Sequence, residues 1–204
     1  MTSGPTARPP DRLARRALAA IALACGLVLA PGAIAADWTV ARLMDLLARS
    51  QPGLASFNET KFIALLDRPV ESSGELRFTP PRRLEKRTLA PGSETLVADG
   101  DSLTMERHGK RHTLALRDHP EVAVFIDGIR GTLAGDRASL ERAYALAIEG
   151  DERRWTLVLR PLSEATARLV ARIEVSGSGA DVQRIEISQA DGDRSLMLIR
   201  RIGP

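Results

Sequence analysis

The sequence predicts an α+β fold: a strongly curved antiparallel sheet of about ten strands, an open half-barrel, with helices packed in its concave face. Three observations predict it. Residues 73–116 divide into short extended runs separated by turn-forming residues, so the stretch reads as a β-meander. Near the C-terminus Ile173 and Val175, then Ile185 and Ile187, alternate with Arg172, Glu174, Arg184 and Glu186, which gives one apolar and one wetted face. Residues 39–49 and 120–133 carry apolar stripes at helical spacing, and such stripes need a sheet to lie on.

The chain opens with a segment that does not belong to the fold. Arg8, Arg12, Arg15 and Arg16 precede the apolar run ALAAIALACGLVLA, which is followed by Pro31-Gly32 and Ala33-Ile34-Ala35. A basic start, an apolar core shorter than the roughly 20 residues that span a bilayer and an A-x-A site describe a cleavable secretory leader over 1–35, cut between Ala35 and Ala36. The expected product is a periplasmic domain over 36–204. Arg15-Arg16 alone does not decide between export routes. Cys25, the single cysteine, leaves with the leader, and lipidation of Cys25 after Ala22-Leu23-Ala24 is the alternative that would retain it.

Removing the leader changes the charge argument. The whole chain has 29 Lys plus Arg and 26 Asp plus Glu, and the leader holds four Arg and one Asp, leaving 25 of each. A formally neutral product gives no reason to expect a nucleic-acid partner. The densest basic cluster, Arg82, Arg83, Lys86 and Arg87, reads as a solvated strand edge, or else as a docking point for anionic lipid or partner carboxylates.

Within the domain, Val40, Leu43, Met44 and Leu47 share one face of a helix over 39–49, capped by Asp37 or Thr39 and ended by Pro52-Gly53. Residues 57–66 form the first long strand, and Asp67-Arg68-Pro69 turns the chain. Strands follow over 74–78, 83–89, 94–98, 102–107 and 110–116. Pro80-Pro81, Pro91-Gly92, Asp99-Gly100-Asp101 and His108-Gly109 separate them. Residues 120–133 put Val122, Phe125, Ile126 and Ile129 on one helical face, but Gly128 and Gly131 cost a helix about 1 kcal/mol each relative to Ala. Residues 135–142 form a loop or short helix. A hairpin over 144–149 and 155–160 and strands over 171–176, 182–188 and 194–202 complete the chain.

No catalytic constellation emerges, so the chain is not expected to be an enzyme. His108, His112 and His119 lie near no nucleophile elbow, zinc helix or phosphate loop, and His108-x3-His112 straddles a predicted hairpin instead of sharing a helical face. The aspartates around Gly100 and Gly192 serve turns, with too few oxygen ligands in either loop for calcium. Neither a cofactor nor a metal is expected.

The order of exported leader, amphipathic helix, Phe57-Asn58-Glu59, Gly74-Glu75-Leu76-Arg77-Phe78 with Pro81 following, Pro91, and the run ETLVADGDSL from Glu94 to Leu103 resembles the outer-membrane lipoprotein carrier family, the LolA-like proteins. The resemblance continues less tightly through Trp155 to Pro161 and the last strands. It implies an open half-barrel whose apolar cavity accepts acyl chains, with lipoprotein or lipid acyl chains as the cargo and an inner-membrane donor and an outer-membrane acceptor as further partners. The carrier is expected to act as a monomer. The same fold could instead serve a periplasmic lipoprotein-binding sensor or scaffold.

On that reading the cavity is assigned to Phe57, Leu76, Phe78, Leu84, Ile173 and Ile185, and the lid to Val122, Phe125, Ile126 and Ile129 within 122–133. The family has an arginine immediately before the proline that follows G-x-L, and it holds the lid closed. Pro80 stands at that position here, and the role does not transfer to Arg82 or Arg83, so closure is expected to rest mainly on apolar contact.

Overall fold

The computed structural model describes Met1, residues 38–50 and residues 52–202. The predicted leader, its cleavage site, Asp37 and Cys25 lie outside the described residues. All elements below belong to one unit, Trp38–Pro204.

Helix α1, Val40–Ala48, forms where the apolar stripe predicts it, and the Thr39 hydroxyl caps it by accepting from the Arg42 amide at 3.3 Å. Its buried residues are Leu43, Met44 and Leu47. The meander consists of β1 (Gly53–Phe62), β2 (Val70–Thr79), β3 (Arg83–Ala90), β4 (Glu94–Asp99), β5 (Ser102–Arg107) and β6 (Lys110–Ala115). A single 3-10 turn, Leu116–Asp118, leads into helix α2, Pro120–Leu133, and α3 follows at Arg137–Ala143. The chain then runs through β7 (Tyr144–Asp151), β8 (Arg154–Pro161), a one-turn α4 (Glu164–Ala167), β9 (Val170–Ser178), β10 (Asp181–Gln189) and β11 (Arg194–Arg201).

The eleven strands form one open antiparallel sheet in the order β6-β5-β4-β3-β2-β1-β11-β10-β9-β8-β7. Two meanders are therefore joined through the β1–β11 pair, in which Phe57 lies opposite Ile199. The sheet must curl. On one side of α2, Val122 and Ile126 pack against Ala98 of β4, Leu103 of β5 and Leu116. On the other side, a Cβ at Gly128 would stand 2.9 Å from Cδ1 of Ile173 on β9. β4 and β9 are six strand spacings apart, about 29 Å in a flat sheet. One helix of about 10 Å diameter can touch both only if the sheet wraps around it.

Local chemistry accounts for most of the turns. Arg107 pairs with Lys110 across a two-residue loop, and both loop residues take positive φ, His108 at 51° and Gly109 at 72°, as a primed hairpin turn requires. At the β7–β8 turn the Asp151 carboxylate accepts from the amides of Arg153 and Arg154 at 2.8 and 3.0 Å.

Two sequence expectations are corrected. The first strand runs over Gly53–Phe62 and not 57–66: the Leu66 amide donates to the Ile63 carbonyl at 2.9 Å, and the Asp193 carboxylate takes the Ala64 amide at 2.8 Å. IALL contains no turn-forming residue, so only the aspartate from the β10–β11 loop reveals the turn. The basic cluster is not a solvated edge either, because β3 is paired on both sides, to β2 and β4. Its members part company: Arg82, just before the strand, and Arg83 pair with Asp99 at 3.8 and 3.5 Å, whereas Lys86, on the opposite strand face from Arg83, turns inward.

The main core joins Leu43, Met44 and Leu47 of α1 and Leu140 of α3 to Tyr144, Trp155, Leu157, Leu159, Val170, Ile173, Val175 and Ile185. It fills the trough over β7 to β10.

Candidate functional site

Register decides which residues face the trough. Leu76 lies opposite Ala55 and Lys86, Phe78 opposite Gly53 and Leu84, and Met197 opposite Glu59 and Ile185. Directly paired residues share a sheet face, so these side chains form a continuous floor over β10, β11, β1, β2 and β3. Unlike the floor under the main core, this part is incompletely covered. Leu47 of α1 and Ile129 and Leu133 of α2 reach over it and leave a cavity of about 190 Å³. Its lining is apolar except at Ser50, Lys86, Asp181 and Arg201.

Lys86 does not bring a free charge into that space. Its ammonium is bonded to the Glu59 carboxylate and lies 4.9 Å from the centre of the Phe57 ring. The strand between them is small where they meet, with Ser72 opposite Glu59 and Gly74 opposite Phe57. A Cβ at Gly74 would come within 3.0 Å of Phe57 Cε1 and 1.9 Å of the Arg87 carbonyl oxygen, so glycine leaves room for the crossing. Glu59 also accepts from the Ser195 hydroxyl at 2.8 Å and the Ser72 hydroxyl at 3.3 Å, and Lys61 stands 3.8 Å away. Burial alone would push the Glu59 carboxyl up. The charge and hydrogen bond of Lys86, the charge of Lys61 and the Ser195 hydroxyl reverse this and hold it below the ordinary range.

Helix α2 covers the cavity through two different surfaces. Its apolar side chains, Val122, Phe125, Ile126 and Ile129, are only half-buried, while its fully buried positions are Gly128, Gly131 and Thr132. A Cβ at Gly131 would stand 2.9 Å from Leu140 Cδ2, and one at Gly128 would stand 3.1 Å from the Tyr144 hydroxyl. The glycines that weaken this helix are thus the points where its backbone approaches α3, β7 and β9. Tyr144 donates to the Val124 carbonyl at 2.6 Å, and burial, with a further push from Asp127, raises its phenol well above the usual range.

Arg130 fastens the opposite flank. Its guanidinium donates to the Gly100 carbonyl at 2.5 Å and the Arg82 carbonyl at 3.3 Å, with Asp127 at 2.6 Å orienting it. The same stretch of helix borders a cleft of about 730 Å³ whose lining mixes charged residues, among them Arg82, Asp127, Arg130 and Arg142, with apolar ones such as Ala134 and Leu140. Hydrogen bonds from a charged donor contribute about 1.5–3 kcal/mol each. Arg130→Gln should therefore speed amide exchange across Pro120–Leu133 by about tenfold or more while leaving β9 and β10 unchanged, as read by hydrogen-exchange mass spectrometry.

Comparison with known proteins places the chain. The family described as "Outer membrane lipoprotein carrier protein LolA-like" matches residues 28–201. The chain belongs to the LolA-like family. An outer-membrane lipoprotein carrier protein of Leptothrix cholodnii is 30% identical over 176 residues, covering 83% of this chain and 77% of that protein. Among solved structures, a LolA-superfamily protein of Nitrosomonas europaea matches with a TM-score of 0.45 and 11% identity, over 82% of this chain and 96% of that one. A putative outer-membrane lipoprotein-sorting protein domain of Vibrio parahaemolyticus matches with a TM-score of 0.43 and 8% identity, over 79% and 90%.

In this LolA-like chain, four of the six residues assigned to the cavity line it: Leu76, Phe78, Leu84 and Ile185. Phe57 and Ile173 are fully buried instead, Phe57 under the Lys86 ammonium and Ile173 against Gly128. Of the residues assigned to a lid, Ile129 lines the cavity, Phe125 packs against the main core, and Val122 and Ile126 pack on the Ala98–Leu103–Leu116 cluster. Met197 and Ile199 were missed because Leu196-Met197-Leu198-Ile199 is apolar at every position, so alternation has no phase until β1 supplies one. Arg130 was missed as well, and it adds a polar fastening to the apolar contact on which closure is expected mainly to rest. The arginine sits on the helix and its acceptors sit on the sheet turns, which reverses the arrangement that the resemblance implies around Pro80. No metal-binding group of three or more His, Cys, Asp or Glu occurs among the described residues.

Proposed function

We propose that the protein is a periplasmic carrier that holds the acyl chains of a lipoprotein, or of another lipid, in the cavity beneath α2 and moves them towards the outer membrane. The observation that carries this reading is the apolar floor left partly uncovered under a helix with half-buried apolar side chains and a separate polar fastening. Family membership supports it, as does the outer-membrane carrier relative.

Magnitudes favour the helix as a lid. The partly covered cavity of about 190 Å³ lies below the roughly 300–1,000 Å³ of sites that enclose drug-sized ligands, so enclosing a whole acyl chain requires α2 to rise. Raising it breaks the bonds of Arg130 and exposes apolar surface. Each methylene transferred from water returns about 0.8 kcal/mol, so a chain of a dozen carbons offsets a lid cost of several kcal/mol. An inner-membrane donor and an outer-membrane acceptor would then act by biasing the lid.

Two measurements test the reading. Native mass spectrometry of protein released from the periplasm should show a mass excess matching an acyl lipid on a chain that begins at Ala36. Hydrogen exchange should show Val122, Phe125 and Ile129 protected on addition of detergent or lipid while Ile185 and Ile187 change little. A protein that is always bare, with equally slow exchange in both segments and no response to ligand, removes the carrier and the lid together.

A further inference from the structure

Both cations that line the cavity are already neutralised. Lys86 of β3, Leu76 of β2, Ala55 of β1 and Arg201 of β11 form one row across the floor, each opposite the next. Three strand spacings make that row about 14 Å wide, so one cation stands on each side of an apolar strip. Lys86 is bonded to Glu59, and Arg201 donates to Asp181 at 3.1 Å. A free carboxylate entering this space meets no uncompensated positive charge, and it has to be desolvated among Leu76, Met197 and Ile199.

Lys86 is neutralised without being used up. An ammonium carries three N–H groups. Glu59 accepts from it, the centre of the Phe57 ring is 4.9 Å away, and no further acceptor bonds it among the described residues. The Lys86 side chain keeps 18% of its surface accessible against 5% for Glu59, and of the two only Lys86 lines the cavity. Glu59 is engaged by Lys86, Ser72 and Ser195. The pair therefore presents a hydrogen-bond donor with little net charge. An ester carbonyl matches it: the oxygen accepts, the group is neutral, and unlike an amide it brings no N–H that needs an acceptor beside Lys86.

We infer that the Glu59–Lys86 pair selects neutral acyl esters over free fatty carboxylates: Lys86 donates one N–H to the ester carbonyl oxygen, and Glu59, by holding the lysine charge, removes the attraction that would draw a carboxylate in. This rests on the carrier reading and deepens it, because it names the acyl linkage that the cavity accepts and the residues that set the preference.

The experiment uses the mature protein and the neutral fluorophore N-phenyl-1-naphthylamine. The competitors are methyl dodecanoate, dodecanoate and 1-methoxydodecane, an ether that differs from the ester only in lacking the carbonyl oxygen. Affinities are read relative to the ether, which cancels changes in the apolar cavity as a whole. The ester-to-ether ratio should be about tenfold higher in wild type than in Glu59→Leu with Lys86→Met, the net contribution of one hydrogen bond from a charged donor. Glu59→Gln, which frees the lysine charge, should raise the dodecanoate-to-ether ratio about tenfold or more. The double variant, which keeps the trough filled with apolar side chains, decides alone if Glu59→Gln does not fold. Equal ester-to-ether ratios in wild type and the double variant overturn Lys86 as the donor, and a dodecanoate ratio that does not rise in folded Glu59→Gln overturns the pairing as a charge filter. Either result leaves the carrier reading standing. A wild-type protein that binds no fluorophore overturns the carrier reading itself and this inference with it.

Discussion

Leu76→Glu should abolish binding of a neutral apolar fluorophore, by about 100-fold or more, in a protein that still folds. Leu76 is the centre of the cavity floor, opposite Ala55 on one side and Lys86 on the other. A carboxylate there must be desolvated whenever a hydrocarbon fills the space, and it also competes with Glu59 for the single charge of Lys86. A loss of 100-fold corresponds to about 2.7 kcal/mol, well within the cost of burying a poorly paired charge. The control is Leu76→Met, which keeps volume and polarity and should bind within about threefold of wild type. Fluorescence titration decides the matter. Binding within tenfold of wild type in a folded Leu76→Glu protein would remove this floor from the site.

Glu59→Ala should lower the unfolding free energy by about 3 kcal/mol, because it leaves Lys86 inside the trough without its counter-charge. The value is set at the low end of the cost of breaking a buried pair because Lys86 keeps the Phe57 ring and a side-chain exposure of 18%. Replacing both partners together, Glu59→Leu with Lys86→Met, should recover most of the loss, since apolar side chains of similar volume substitute well for a buried pair. Denaturant unfolding of the three proteins gives the comparison. A double variant no more stable than Glu59→Ala would show that the lost stability does not come from the unpaired Lys86.

The same cluster has a signature in pH. The folded Glu59 carboxyl lies below its ordinary value of 4.5, so the unfolded chain binds a proton first as pH falls. Its contribution to stability is complete above that ordinary value and drains away as pH drops through the lowered one. Wild type should therefore lose stability more steeply below about pH 4.5 than Lys86→Met, in which the main opposing charge is gone.

Several parts of this molecule were readable from local chemistry alone. The helical stripes over 39–49 and 120–133, the breaks at Pro91-Gly92 and His108-Gly109, and the alternation in the last strands each depend on neighbours a few positions apart. They suffice for the α+β class, an antiparallel sheet with one apolar face, and helices to cover it. A leucine or phenylalanine on a known face, such as Leu76 or Phe78, can be assigned to the trough on the same basis. The direction a long polar side chain takes cannot. Arg82, Arg83, Lys86 and Arg87 look alike in a row of basic residues, yet only Lys86 enters the trough, because β2 is small beside Glu59 and β3 is an interior strand.

The kind of elements, their order and the need for a covered apolar sheet were therefore legible in the chain. Long-range packing is what shows where the cover is incomplete, that Gly128 and Gly131 are contact points as well as weak points, and that Arg130 fastens α2 to the turns. Separation along the chain accounts for the difference. Backbone propensity and alternation act over a few residues, whereas the partners that create the site are remote: Arg130 and Gly100 are 30 positions apart and Ser195 and Glu59 are 136, and the phase of β11 exists only once β1 lies beside it.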